Sequence, residues 1–292
     1  MEEEITSGLS ENSGYAFMED SMKSYSDSGN DIKKLLPYAA GLLLAAAIVF
    51  TVLGTTLLSK SYVKRKFSDS RVYVEITNEI RNKAEKAYLK TDPPQEVRKE
   101  LGDIMPEVIT EDAVKQETDE VIDKLLSGRN PEVDGSHLRS SITSHLSESL
   151  ASRHLSLSTS QTNEFIDRSV ETATDTIDIT KYTDKIPVKL GGGAVRAIIF
   201  ALLAAAALAG TYILSYNKFV DMGKALLVGG GAALIAGIIV TSGFDPSGMS
   251  LPLASLTKAA EELKSAVTAR CVISGLLFTA AGGGMLFLGK RN

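Results

Sequence analysis

The sequence predicts an all-α protein with four transmembrane helices and one soluble domain of four or five helices. The chain has 292 residues and a net charge of −5, but its apolar residues are clumped into four stretches that are almost free of charge. The segments between these stretches are strongly polar. They show apolar residues at helical spacing, and none shows a sustained period of two. Clumping of this kind is typical of membrane spans joined by water-exposed segments.

The chain opens with an acidic segment followed by the first span. Residues 1–34 are rich in Ser, Glu, Asp and Gly, a composition that cannot bury enough apolar surface to offset the entropy of ordering. We therefore predict a disordered acidic tail, with a short partner-binding motif around Tyr15–Met22 as the alternative. Leu35–Leu58 is uncharged and long enough to cover the ~30 Å hydrocarbon core. It is too long and too late for a cleaved signal peptide, so we interpret it as a retained span.

Residues 59–189 form the predicted soluble domain. Apolar residues recur in it every three or four positions, which predicts amphipathic helices numerous enough to build a core of their own. The predicted apolar stripes are, in chain order, Val72, Ile76, Ile80, Ala84 and Tyr88; Val114, Thr118, Val121, Ile122 and Leu125; Leu138, Ile142, Leu146 and Leu150; and Phe165, Ile166, Val170, Ala173 and Ile177. A short helical piece over residues 95–102 precedes the second stripe.

Local signals bound these helices. Two prolines, Pro93 and Pro94, stop the first one. Thr110 and Ser136 are predicted N-caps, because a hydroxyl oxygen can accept a hydrogen bond from a free N–H of the first turn. Gly128 is a predicted C-cap, since glycine adopts a positive φ without strain. Each predicted helix of the soluble domain therefore has a chemical reason to begin or end near these residues.

Residues 190–292 are predicted to form a bundle of three spans, at about 195–216, 225–244 and 269–288. Each stretch is long enough to cross the bilayer as a continuous helix, which satisfies its own backbone hydrogen bonds. Between the last two spans, residues 245–265 include a short amphipathic piece. This piece either lies at the membrane interface or extends the fourth span.

Three glycine triplets accompany the last three spans. Small residues let helix backbones approach closely in lipid, so the triplets predict tight helix packing. A flexible break that lines a transport path is the alternative. The nine residues are Gly191, Gly192, Gly193, Gly229, Gly230, Gly231, Gly282, Gly283 and Gly284.

Five cations near the span ends are candidate contacts for lipid or for a partner. Arg196 and Arg270 each lie within about one turn of the start of a predicted span, where their long side chains can reach the interface. Lys64, Arg65 and Lys66 follow the first span and could contact headgroups. No acidic or basic residue lies mid-span in a way that predicts a proton relay.

The sequence contains no pattern of catalytic or ligand residues. His137, His145 and His154 would point in different directions on one helix and so do not predict a metal site. There is no nucleophile elbow, phosphate-binding loop or dinucleotide fingerprint. The single cysteine, Cys271, excludes a disulfide within the chain. We therefore expect a non-enzymatic protein with no cofactor and no bound metal, and the net acidity argues against nucleic acid as a partner.

The order of elements resembles a group of uncharacterised Gram-positive bacterial four-span membrane proteins. The matching stretches are Ile104–Gly128, the VDGSHLRSSI segment at residues 133–142, and a final helix leading to the second span. The resemblance covers most of residues 60–290 and carries no activity. It implies an extracellular helical domain, whereas basic residues at the span ends leave the orientation almost balanced.

These observations predict a multi-pass protein of the cell membrane whose termini are cytoplasmic and whose soluble domain is extracellular. We expect that domain to bind a protein or cell-envelope partner or to sense a signal, while the bundle anchors it in the lipid bilayer. The alternative is a small transporter, or an accessory subunit of a transport complex, that uses the last three helices. We also include a homo-oligomer among the expected assemblies.

Overall fold

The computed structural model describes residues 11–178, 193–243, 245–249 and 253–291. Over these ranges the chain is helical apart from turns and short links and contains no strand, so the prediction of an all-α protein is confirmed. The helices are α1 Glu11–Thr55, α2 Lys60–Asp69, α3 Val72–Leu89, α4 Gln95–Val108, α5 Glu111–Leu126, α6 Ser136–Ser152, α7 Thr159–Ile177, α8 Gly193–Leu214, α9 Lys218–Ser242 and α10 Ala254–Arg291, with a 3₁₀ turn at Ser247–Met249.

Four helical segments are long and apolar enough to cross a membrane. They are Lys33–Thr55, Val195–Leu214, Lys218–Ile239 and Ala254–Arg291. They agree with the four predicted spans in number and order, and this composition suggests a membrane protein. The fourth differs most from its prediction, because its helix begins fifteen residues before residue 269.

The first helix also begins earlier than its predicted span. It starts at Glu11, and residues 11–34 are helical where the sequence predicts a disordered tail; residues 1–10 and their predicted disorder lie outside the described residues. The difference has a physical reason. Once an apolar span has formed a helix, each further residue adds one hydrogen bond without a new nucleation cost.

The chain divides into two units. We call Thr51–Arg196 with Ile239–Ala269 the helical unit. We call Met1–Phe50, Ala197–Ile238 and Arg270–Asn292 the bundle unit. The fourth span helix α10 contributes residues to both units.

The core of the helical unit is built from the predicted apolar stripes. Every predicted stripe residue of α3, α6 and α7 is buried, and in α5 only Leu125 is half-buried. Aromatic packing ties α3 to α7, because the Tyr88 and Phe165 rings meet edge to face with centroids 4.8 Å apart. The 3.6-residue period therefore identifies the buried face of these four helices correctly.

Two helices of this region differ from the prediction. Helix α2 is not predicted at all, and α4 continues to Val108 instead of ending near residue 102. Helix α4 continues through Pro106, which has no N–H and so removes one backbone hydrogen bond. The burial of Ile104, Met105 and Val108 offsets this loss. The described part between Lys60 and Ile177 therefore holds six helices, against the four or five predicted.

The helix caps agree with the prediction in two of three places. The Thr110 hydroxyl accepts a hydrogen bond from the Ala113 N–H, and Gly128 follows α5 with a φ of 72°. The predicted N-cap Ser136 is wrong, because it is the first helical residue of α6 and Gly135 is the cap. With its φ of 70°, Gly135 positions its N–H to donate to the buried Glu117 carboxylate at 3.0 Å.

Candidate functional site

The first four turns of α10 belong to the core of the helical unit. Leu253, which directly precedes the helix, and Ala259 lie in the main apolar core, and Leu256 packs against it. Leu263 packs in a smaller cluster with Val63 and Ile122, which bring α2 and α5 to the same helix. Of the two predicted alternatives for residues 245–265, the structure has the amphipathic piece as an extension of the fourth span.

Two polar contacts fasten this part of α10. The Glu75 carboxylate accepts a hydrogen bond of 2.7 Å from the Ser255 N–H, and Lys66 Nζ lies 3.1 Å from Glu262 Oε2. Ser255 is the second residue of α10, so its N–H has no partner within the helix. A carboxylate at this end is also favoured by the helix dipole. Glu75 of α3 therefore caps α10 through a residue that lies 180 positions later in the chain.

The same contacts shift the ionisation of these groups. Contact with Ser255 lowers the pKa of the Glu75 carboxyl. The hydrogen bond to Glu262 raises the pKa of the Lys66 ammonium. Both shifts favour the charged forms that hold α10, so the contacts persist over the neutral pH range.

An open, charged groove runs along α5 beside α2 and the start of α6. Four of its lining residues are carboxylates, two are lysines and one is a histidine. The lining residues are Lys64, Asp112, Lys115, Gln116, Asp119, Glu120, Asp123 and His137. Lys64 Nζ lies 3.0 Å from Asp123 Oδ1, so these two charges pair within the groove. The hydroxyl of Tyr73, which is not a lining residue, donates to Asp119 Oδ1 at 2.5 Å. Burial, followed by this hydrogen bond, raises the pKa of Tyr73.

Three predicted lipid or partner contacts lie on α2, and two of them, Lys64 and Lys66, pair with acids of other helices, whereas Arg65 is exposed. Lys64 pairs with Asp123 in the groove, Lys66 pairs with Glu262 of α10, and the Arg65 guanidinium lies 5.2 Å from the centre of the Tyr62 ring. The structure thus gives Lys64 and Lys66 internal partners.

The two predicted interfacial arginines lie in different units. Arg196 is exposed three residues after the start of α8, in the helical unit. Arg270 is exposed in the middle of α10, in the bundle unit, because the helix begins sixteen residues before it.

The nine predicted packing glycines divide into three groups. A Cβ atom at Gly229, Gly230 or Gly282 would come within 2.9 Å of another helix's backbone. At Gly231, Gly283 and Gly284 it would meet nothing within 4 Å. Gly191 and Gly192 lie outside the described residues, and Gly193 is the first residue of α8. Each described triplet of α9 and α10 therefore mixes contact positions with open ones.

A second glycine pattern, absent from our sequence predictions, joins the third and fourth spans. Gly223, Gly230 and Gly237 recur every seven residues in α9, and Gly275, Gly282 and Gly289 do the same in α10. A Cβ at Gly230 would lie 2.6 Å from the Gly275 carbonyl oxygen, and one at Gly223 would lie 2.9 Å from that of Gly282. Seven residues make about two helical turns, so each set lies on one face. We call these six residues the glycine ladder.

The comparisons with known proteins give no relative. The chain matches no protein family model, no curated protein and no solved structure. The resemblance to Gram-positive four-span proteins therefore stays a prediction.

The histidines of the described residues make local contacts within the helical unit. Among the described residues, no group of three His, Cys, Asp or Glu side chains could hold a metal ion. His137 Nε2 lies 3.5 Å from Glu120 Oε2, and His145 Nδ1 lies 2.8 Å from its own helix at the Ser141 carbonyl. The groove on α5 and the start of α10 are the two places where charged side chains of several helices meet.

Proposed function

We propose that this is a non-enzymatic membrane protein with four transmembrane helices and an extracytoplasmic soluble helical domain that binds an envelope partner or senses a signal. The observation that carries the proposal is helix α10, whose first turns are packed in the core of the helical unit and whose later turns form the fourth span. A partner that displaces α2 or α3 would act on Val63 or Glu75, which contact this helix. Binding could thus be passed to the bundle through one continuous element.

The surface of the helical unit fits a polar or charged partner. Over the described residues 60–178, only Val74 and Leu89 are large apolar side chains with substantial exposure. A broad apolar docking site is thereby missing from this surface, whereas the groove on α5 is open and carries more carboxylates than lysines. A cationic segment is the complementary partner for such a groove.

The alternative function, transport, has less support. The third and fourth spans touch backbone to backbone along the glycine ladder, where a Cβ at Gly230 would already lie 2.6 Å from a carbonyl oxygen. A polar path needs space between helices, and this contact has none. The observation favours an anchoring role for these two spans.

The orientation can be tested by labelling the full chain with a membrane-impermeant maleimide in intact cells. The two variants carry Cys271→Ala together with either Ser160→Cys or Lys290→Cys. Cys271 is buried, so alanine removes the thiol without leaving an unpaired hydroxyl, and both new cysteines replace exposed residues. Because four crossings put Ser160 and the C-terminus on opposite sides, each variant is the control for the other.

We expect Ser160→Cys to be labelled without lysis and Lys290→Cys only after lysis. The reverse pattern would place the helical domain in the cytoplasm and refute an envelope partner. Labelling of both positions from outside would refute the four-span arrangement itself.

A further inference from the structure

One end of the bundle unit gathers the ends of all four spans. The turn at residues 215–217 joins the second span α8 to the third span α9. Asn217 Nδ2 donates a hydrogen bond of 3.3 Å to the Gly289 carbonyl near the end of α10. Lys33 Nζ, at the start of the first span, lies 5.6 Å from the centre of the Tyr216 ring.

This end is basic and aromatic. Lys33, Lys218, Lys290 and Arg291 are all exposed there, and we call these four residues the basic end. Tyr216 beside them is 94% exposed. Lys218 Nζ also lies 4.6 Å from the centre of the Tyr212 ring.

The carboxylate one turn after Lys218 in α9 is already paired with another cation. Asp221 accepts hydrogen bonds from Ser215 and from Lys224, whose Nζ lies 2.8 Å away, so it is already paired with a cation outside the basic end. The lysines that follow the first span contrast with this arrangement, because Lys64 and Lys66 are paired with acids of the helical unit. Among the described residues, no ion pair involves any of the four cations of the basic end, so their charge is available to a ligand.

We propose that the basic end binds the phosphate headgroups of anionic phospholipids. Lysine and arginine at span ends extend their charged groups to the headgroup level, and tyrosine prefers the same depth because its ring is apolar and its hydroxyl is polar. The cation–π contacts hold Lys33 and Lys218 near the two tyrosines, which places ammonium groups and rings together as a headgroup site requires. Such charge favours the cytoplasmic leaflet.

The proposal does not depend on what the helical domain binds. It involves the opposite ends of the spans and only residues of the bundle unit. If the helical domain bound no envelope partner, the lipid site at the basic end would still stand. If the basic end bound no lipid, the partner hypothesis would still stand.

The test measures binding of fluorescent phosphatidylglycerol to the full chain in a neutral detergent. The variant combines Lys33→Gln, Lys218→Gln, Lys290→Gln and Arg291→Gln. The matched control combines Lys86→Gln, Lys90→Gln, Lys99→Gln and Arg129→Gln, which removes the same charges from exposed positions of the helical unit. Each single substitution of the basic end is measured as well, which provides a readout if the fourfold variant does not fold.

We expect phosphatidylglycerol to bind the wild type more tightly than phosphatidylcholine does. Its affinity should fall as the salt concentration rises. Each removed charge should weaken binding by roughly fivefold, while the control stays within twofold of the wild type. Equal binding of the two lipids, or equal loss in variant and control, would overturn the proposal. Displacement of the lipid by millimolar inorganic phosphate from the wild type would identify a site for free phosphate and overturn the lipid assignment.

Discussion

The Glu107 carboxylate and the Arg153 guanidinium form a two-point ion pair between α4 and α6. The two nitrogens of Arg153 lie 2.7 and 2.8 Å from the two carboxylate oxygens, and the Ser149 hydroxyl donates to one of these at 2.7 Å. A forked guanidinium that matches both oxygens is a stronger contact than a single-point surface pair. The hydrogen bonds from Arg153 and Ser149 lower the pKa of Glu107 to about 2.

This pKa predicts how stability depends on pH. A carboxyl whose folded pKa is depressed stabilises the protein above its ordinary pKa of 4.5, and the contribution is lost as the pH falls toward 2. Glu107→Gln should therefore lower the thermal unfolding midpoint of the full chain at pH 6, and this difference should shrink steadily between pH 4.5 and pH 2. Glu148→Gln, at an exposed carboxylate of α6, is the control and should show no such trend. A pH-independent difference for Glu107→Gln would contradict the prediction.

At the residue scale, the sequence predicts contacts made within one turn and misses those made across the fold. The Thr110 cap depends on an N–H three residues away, and it is correctly predicted. The Gly135 cap depends on Glu117, which is eighteen residues away on another helix. Ser136 carries the expected chemistry, but a carboxylate from α5 already holds the start of α6. Residue type alone does not reveal that Glu117 takes the role expected of Ser136.

At the scale of elements, the spacing of glycines matters more than their number. Three consecutive residues cover about 200° of a helix, so a whole triplet cannot face one neighbour. In α9, Gly229 faces α1, Gly230 faces α10, and Gly231 faces neither. The period of seven in the glycine ladder is visible in the sequence and would have identified the contact between the third and fourth spans.

Two adjacent glycines provide a matched test of this packing. Gly230→Ala would place a methyl group 2.6 Å from the Gly275 carbonyl oxygen, whereas Gly231→Ala would place it in open space. We expect Gly230→Ala to destabilise the detergent-solubilised chain by about 1–3 kcal/mol, because overpacking forces a backbone shift. Gly231→Ala should be neutral or slightly stabilising, since alanine is the better helix former. The measurement is the thermal unfolding midpoint of each variant. Equal midpoints would refute close packing of the third and fourth spans along the glycine ladder.

At the scale of the whole molecule, the periodic stripes predict the core helices but not the helix that completes their core. The sequence shows an amphipathic segment whose apolar face contains Leu253, Leu256 and Leu263. Such a face fits a membrane interface as well as a protein core. Only the contacts with α2, α3 and α5 distinguish the two, and these join residues up to about 200 positions apart. Hydropathy predicts that the fourth span starts at about residue 269, where the apolar stretch begins. The helix itself begins earlier, at Ala254.

The helical unit should consequently need two separate stretches of chain for its full stability. Residues 51–178 expressed alone would expose the surface that Leu253, Ala259 and Leu263 cover in the structure. Joining residues 253–269 to them through a flexible Gly/Ser linker restores these contacts. Since burying one leucine contributes about 1.5–3 kcal/mol, we expect the linked form to be more stable to urea by about 2–5 kcal/mol.

The matched control carries the same linker and segment with Leu253, Leu256 and Leu263 replaced by serine. It keeps the length and the tether but lacks the apolar contacts, so it should unfold at the urea midpoint of residues 51–178 alone. If residues 51–178 folded only when linked to the wild-type residues 253–269, the need for both stretches of chain would be shown more strongly still. Identical midpoints for all three proteins would mean that α10 contributes nothing to the helical unit, and the proposed route from a bound partner to the fourth span would lose its physical basis.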